Sequence, residues 1–193
     1  MKFTYISIPK TASRAVHLAL DDKSLNNHKP IRAIPDPEGF TFAFMRDPVE
    51  RIRSWYYSHK QKHHRQIPLY IVDINKWIKK GCQHHWNTAV NPLYQWDFIN
   101  IKQEIAVDFI GDHNFIYDQL IEICERLDIP FNKWRSIGRT EVKKPRDLKP
   151  WAKDRLKYMF PRDFQLYKQI KQDGYIGKYP PSREGIVQGT STL

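Results

Sequence analysis

What this 193-residue chain lacks narrows its possibilities first. No apolar run approaches the roughly 18 to 20 residues needed to span a bilayer, and a mean hydropathy of −0.67 points the same way. There are two cysteines, Cys82 and Cys124, with no metal-ligand or redox spacing between them. A disulfide framework is therefore excluded and a reducing compartment is expected. The eight glycines form no G-x-x-x-x-G-K-[ST] loop, which removes the main support for an ordinary ATPase or GTPase. Residues 1–9 carry one lysine and run straight into a strand-like segment, so no signal peptide is expected. Internal repeats and low-complexity stretches are absent. Acidic side chains are also short in supply, 21 against 32 basic ones, for a net charge of +11.

What is present describes a globular chain: 40% hydrophobic and 13% aromatic residues, enough to bury one core without covalent staples. The positive excess draws anions, whether nucleic acid, an anionic membrane surface, acidic glycans or a multiply phosphorylated cofactor. Composition does not choose among them. Phe3 to Ile8 and Phe40 to Met45 read as strands, and Asp108 to Gly111 as a short third one. Apolar spacing predicts helices over 11–20, from Asp47-Pro48 to about Lys62, and over 73–80, 93–103, 116–127, 150–159 and 161–172. Asp47 is placed for an N-cap and Pro48 for a first turn. Residues 21–39 read as a loop with at most one short turn, 136–149 as a basic loop, and the chain from Gly174 as a loosely ordered tail. Strand, turn, helix, loop, strand, helix predicts a single α/β domain over residues 1–175 with a central parallel sheet flanked by helices. Its ligand is expected beyond the carboxyl ends of the strands.

Two segments lie at such ends. The first is Pro9-Lys10-Thr11-Ala12-Ser13, between strand one and the first helix. A helix N-terminus offers unpaired N–H groups to an anion, Lys10 adds a charge, Thr11 and Ser13 add hydroxyl donors, and small Ala12 lets backbone approach. The same residues also suit a plain strand-to-helix turn with a solvated lysine. The second is Arg46, whose planar fork suits phosphate, with Ser54 eight residues on along the next helix. Arg46 could equally pair with Asp47 or Glu50, and Arg51 and Arg53 either add positive potential or are solvated helix charges.

Together these segments resemble the sulfotransferases that use 3′-phosphoadenosine 5′-phosphosulfate (PAPS), especially the carbohydrate-acting branch. ISIPKTASRAV is similar to that family's 5′-phosphosulfate motif, I-P-K-T-A-G-T-S after the first strand. FAFMRDPVERIRSWY is similar to its 3′-phosphate motif, F-x-F-x-R-[DN]-P-x-x-R-x-x-S-x-Y, and is the more specific match. Weaker similarity runs through YQWDFI, VDFIGDHNFIYDQLIEICERLDIP and LKYMFPRDFQLYKQI, so the resemblance spans most of residues 3–175. It implies a P-loop-like turn in which Lys10, Thr11, Ala12, Ser13 and Arg14 hold the 5′-phosphosulfate, while Arg46 and Ser54 hold the 3′-phosphate. Departures stand at Ser13 (glycine in the family), Arg14 (threonine), Ala15 (serine), Ser7 (often histidine) and Asn114 (commonly glutamate).

The resemblance further implies in-line transfer of a sulfuryl group to a hydroxyl acceptor, a carbohydrate in first place and an anionic one included. Lys10 would stabilise the leaving group without any metal. His28 resembles a histidine upstream of the second strand and is the first candidate for the base, with His17, Glu50 and His59 as alternatives; it also reads as a surface histidine. His59 would line the acceptor cleft. In the 136–149 loop Arg139, Lys143 or Lys144 would touch the nucleotide, or simply be solvated. The His63-His64 and His84-His85 pairs lack metal-ligand spacing, so no metal is expected. Trp151 reads as helix-start packing. A soluble, cytoplasmic protein of microbial or viral type is expected, with neither nucleic acid nor membrane as partner. Rival readings are a catalytically inactive PAPS-binding relative, a nucleotide kinase with a degenerate phosphate loop, and a basic nucleic-acid-binding module built on 51–65 and 77–86. The acceptor and the oligomeric state are not legible.

Overall fold

In Phe40–Met45, FTFAFM, three phenylalanines alternate with Thr41, Ala43 and Met45, and from Thr41 on every residue is buried, as in a strand covered on both faces. The computed structural model, which describes residues 2–21, 28–60, 73–84, 90–134 and 147–181, makes this segment the second strand, β2, of a central sheet. β1 (Phe3–Ile6) lies parallel beside it with Ile6 opposite Ala43, and β5 (Phe109–Asp112) lies parallel on its other side with Met45 opposite Asp112. β6 (Tyr175–Gly177) closes the order β1-β2-β5-β6 and runs antiparallel to β5. The helices are α1 (Ser13–Ala19), α2 (Pro48–Lys60), α3 (Ile74–Lys79), α4 (Trp96–Ile99), α5 (Ile116–Leu127), α6 (Pro150–Met159) and α7 (Pro161–Asp173). A small hairpin pairs β3 (Asn100–Ile101) with β4 (Glu104–Ile105).

One sheet face presents Tyr5, Phe42, Phe44 and Phe109 to α1 and α5, whose Val16, Ala19, Leu120 and Ile123 are fully buried against them. The other presents Ile6, Ala43, Met45 and Ile110 to α4 and α7, through Trp96, Phe98, Leu166 and Ile170. A third cluster joins α2, α3 and α6 around Trp55, Trp77 and Leu156. At about 25 cal/mol per Å2, each such large apolar side chain contributes about 1.5–3 kcal/mol. The domain is a mixed α/β unit with a parallel-rich sheet flanked by helices, as the sequence predicts.

Three expectations change. The predicted helix over 93–103 shortens to α4, because Asn100 accepts β geometry and Lys102 and Gln103, at φ 50° and 67°, turn the chain into the β3–β4 hairpin. The first helix runs over Ser13–Ala19 rather than 11–20, since Ala12 is left-handed at φ 62°. The tail expected from Gly174 includes β6, and Lys178 N donates to Asp108 O at 3.0 Å. Gly177 is needed in that strand: φ is 96°, and a Cβ there would lie 2.0 Å from the Asp108 carbonyl oxygen. Residues 182–193 lie outside the described part.

Candidate anion-binding site

The turn after β1 is built on two left-handed residues that are not glycine, Lys10 at φ 68° and Ala12 at φ 62°. Such conformations cost about 1–2 kcal/mol each and persist only where surroundings over-determine them. Here Ile8 does so: its carbonyl accepts from Thr11 Oγ1 at 2.9 Å and Ser13 Oγ at 2.6 Å. The two hydroxyls that the sequence offers as anion donors thus spend their protons inside the turn. The backbone N–H groups of Lys10 to Arg14 have no protein acceptor among the described residues. Alternating left-handed residues turn successive N–H groups toward one concavity. With α1 only seven residues long, its dipole counts for less than Lys10 and those N–H groups. Arg14 is exposed on α1.

β1 and β2 are paired up to Ile6 opposite Ala43, and beyond that rung the chain runs on to the Lys10 turn from one and to Arg46 from the other, at the same end of the sheet. Arg46 Nη1 reaches the Lys10 carbonyl oxygen at 3.5 Å, the outer limit of a hydrogen bond. Burial, with the Arg46 charge beside it, lowers the Lys10 ammonium to about 8. Burial also lowers Arg46, against the pull of Glu50, Asp47 and Tyr167. The two charges thus act on one another while partly out of water, an arrangement that a shared anion would relieve.

Behind them lies a buried polar frame that sequence reading misses. Arg51, placed by sequence as a source of positive potential or a solvated charge, is fully buried and donates to the carbonyls of Pro9 at 3.2 Å, Pro92 at 3.1 Å and Leu93. Gln95, also fully buried, binds the Arg46 backbone on both sides and donates its own N–H to Asp163 Oδ2 at 2.9 Å. Asp163 Oδ1 accepts from Trp96 N at 2.8 Å. Burial raises the Asp163 carboxyl to about 6, opposed by Arg51 and by those two backbone donors.

His28 does come to the site: its Nδ1 lies 2.8 Å from Ser7 O and 3.0 Å from Ser7 Oγ, at the root of the Lys10 turn. Burial lowers its pKa, aided by the nearby His17 and Lys10 charges and opposed by the Ser7 carbonyl, so the ring is neutral at pH 7. His17 is buried edge-on to Tyr5, ring centres 5.2 Å apart. His59 is not a cleft residue: it is buried, stacked on Trp55 at 3.9 Å, with Nδ1 against Trp55 O at 2.9 Å.

A cleft of about 650 Å3 opens at the carboxyl ends of β2 and β5. Arg46, Asp47 and Glu50 form one wall, His113 and Asn114 a second, and α7 supplies Tyr167, Lys168 and Lys171. Asp47 Oδ1 caps α2 through Glu50 N at 2.9 Å, as expected of it, and Glu50 pairs with Arg53 at 2.8 Å. Ser54 is half-buried on α2 and does not line this cleft. Burial lowers His113 to about 4, with Arg46 adding to the effect and Asp112 opposing it. His113, Lys168 and Lys171 carry no local motif and become neighbours of Arg46 only through the sheet order. Arg139, Lys143 and Lys144, together with His63-His64, lie outside the described residues. Among the described residues no group of three or more His, Cys, Asp or Glu could hold a metal ion, and no helix is long and apolar enough to cross a membrane.

Comparison with known proteins leaves the chain on its own residues: no family model, no curated protein and no solved structure matches it.

Proposed function

We propose that the chain is a PAPS-dependent sulfotransferase acting on a hydroxyl acceptor, with a carbohydrate as the preferred class. The observation that carries the reading is the meeting of the Lys10 turn and Arg46 at one end of a parallel sheet, 3.5 Å from Nη1 to the Lys10 carbonyl. A nucleotide with phosphates at both its 5′ and 3′ positions would use both cations. The P-loop-like role of the turn belongs to this proposal and is supported by its free N–H groups and left-handed residues.

In the reaction, the acceptor oxygen bonds to sulfur as the bond from sulfur to the bridging phosphate oxygen breaks, and the electron pair stays on that oxygen. The Lys10 ammonium, protonated in the main at pH 7 with its pKa at about 8, would stabilise the charge developing there, the effect that dominates transfers of this type. His28, neutral at pH 7, would take the hydroxyl proton. Thr11 and Ser13 would shape the turn through Ile8. Ala12 would let backbone approach the donor and Arg14 would add charge from the exposed face of α1.

The test pairs binding with transfer. The product nucleotide, 3′-phosphoadenosine 5′-phosphate (PAP), should raise the melting temperature well above any shift from AMP or ATP. Lys10→Ala and Arg46→Ala should each abolish transfer of labelled sulfate from PAPS across a panel of sugar acceptors. Equal shifts from the three nucleotides would sink donor recognition. Retained PAP binding without transfer to any acceptor would favour the inactive binding relative instead.

A further inference from the structure

We propose that the cleft between Arg46 and α7 is a subsite for the anionic head of a phosphate or sulfate monoester, with Lys168 and Lys171 supplying the half of the grip that no local motif announces. Three observations converge on it.

The first is charge. Arg46, Lys168 and Lys171 line the cleft. Its two carboxylates are already engaged: Glu50 is bridged to Arg53 at 2.8 Å and Asp47 caps α2. Lys171 lies 3.8 Å from Asp112 Oδ2, a loose contact that leaves its ammonium with donors to spare. Lys168 is exposed on the same helix face one turn earlier.

The second is an unmet polar atom. His113 Nδ1 is shielded from solvent and has no hydrogen-bond partner among the described residues, a rare state for a buried nitrogen. The ring lies in the cleft wall and stays uncharged at neutral pH. A turn of the uncharged ring would bring that nitrogen, carrying its proton, to an oxyanion in the cleft.

The third is rigidity. Tyr167 Oη accepts from Asn114 Nδ2 at 3.1 Å and approaches Asp112 Oδ1 at 3.4 Å, and Asp112 Oδ1 also accepts Asn114 N at 2.9 Å. These bonds tie α7 to the end of β5 and fix the spacing between the lysine-bearing helix and Arg46. Ser54, the partner expected for Arg46 from the sequence, stands outside the cleft.

The inference rests on the donor reading only for the source of the ester. That source is either the 3′-phosphate of the nucleotide or an ester already carried by the acceptor. Isothermal titration of the full chain with PAP, AMP, galactose 6-sulfate and galactose separates them, using wild type, Lys168→Gln and the Lys168→Gln/Lys171→Gln pair. Both lysines are exposed, and retained melting behaviour confirms folding. If the nucleotide is the source, wild type prefers PAP to AMP by at least ten-fold and the double variant loses that preference while AMP affinity stays put. If wild type binds PAP and AMP alike yet binds galactose 6-sulfate over galactose, and the double variant does not, the donor reading fails while the subsite stands. A double variant that binds every ester as wild type does overturns the subsite. So does a wild type that binds neither PAP nor galactose 6-sulfate.

Discussion

Gln95 brackets Arg46: its Oε1 accepts from the Arg46 backbone N–H at 3.0 Å, and its Nε2 donates to the Arg46 carbonyl at 2.9 Å. The side-chain amide thereby repeats the donor–acceptor pair of a neighbouring strand just past the end of β2. Asp163 holds Gln95 from behind, and Arg51 does the same service for Pro9. Each cation of the site therefore stands on backbone that a buried side chain fixes.

Removing the bracket should loosen the guanidinium. Gln95→Ala leaves two backbone groups of Arg46 without partners, each worth about 1–3 kcal/mol when buried. Urea denaturation should show a loss of about 2 kcal/mol or more, and PAP affinity should fall by at least ten-fold. Gln95→Asn, one methylene shorter, should fail to restore either. Unchanged PAP affinity in a folded Gln95→Ala protein would show that Arg46 needs no bracket.

Anion binding should weaken as pH rises through about 8, where Lys10 gives up its proton. A bound phosphate favours the charged ammonium and raises its pKa, so binding takes up a proton above that pH. Titrations in buffers of different ionisation enthalpy will measure the uptake. In Arg46→Gln the like charge is gone, and the midpoint should move upward. A PAP affinity flat from pH 7 to about 9.5 would detach Lys10 from the ligand.

His28→Ala should lower kcat by about 10²–10⁴ while leaving PAP affinity within about two-fold, because in the proposed reaction the ring would serve the acceptor proton and not the nucleotide. The acid limb of the wild-type rate profile should lie below the ordinary histidine value of 6.5. Loss of PAP affinity in step with kcat would make His28 a support of the Lys10 turn instead.

Ala12 tests the turn itself. At φ 62° a β-branched side chain is strained, so Ala12→Val should cost about 2 kcal/mol and abolish PAP binding. Ala12→Gly relieves the left-handed penalty but frees the unfolded chain, two effects of about 1 kcal/mol that nearly cancel. It should bind like wild type. Thermal unfolding and titration of the pair decide the matter, and a Val variant that binds normally would show that the turn has no part in the site.

Local chemistry made most of the frame legible. The helix expected over 116–127 is α5 residue for residue, and Pro150 and Pro161 open α6 and α7 where first-turn prolines belong. The β3–β4 hairpin was not legible, because Lys102 and Gln103 take the left-handed conformations that asparagine or glycine usually announce. Within the site, Lys10 and Arg46 were readable because Arg46 directly follows β2 and Lys10 stands in the turn after β1. His28 reached it through the resemblance alone. Gln95, His113, Asp163 and Lys168 were not readable, since nothing near them in the chain marks them and their roles come from packing across the sheet. Arg51 misled for a related reason: a helical arginine looks solvated until the loop that covers it is in place.

Ile6 stands opposite Ala43, so the two cations are measured out from a common rung, four residues to Lys10 and three to Arg46. A residue gained or lost between the end of α1 and the start of β2 alters neither count. One residue gained or lost between Ile6 and Lys10, or between Ala43 and Arg46, puts the pair out of step and aims one of them across the sheet. The alignment of the two cations is thus set by two short rulers and not by the length of chain that follows α1.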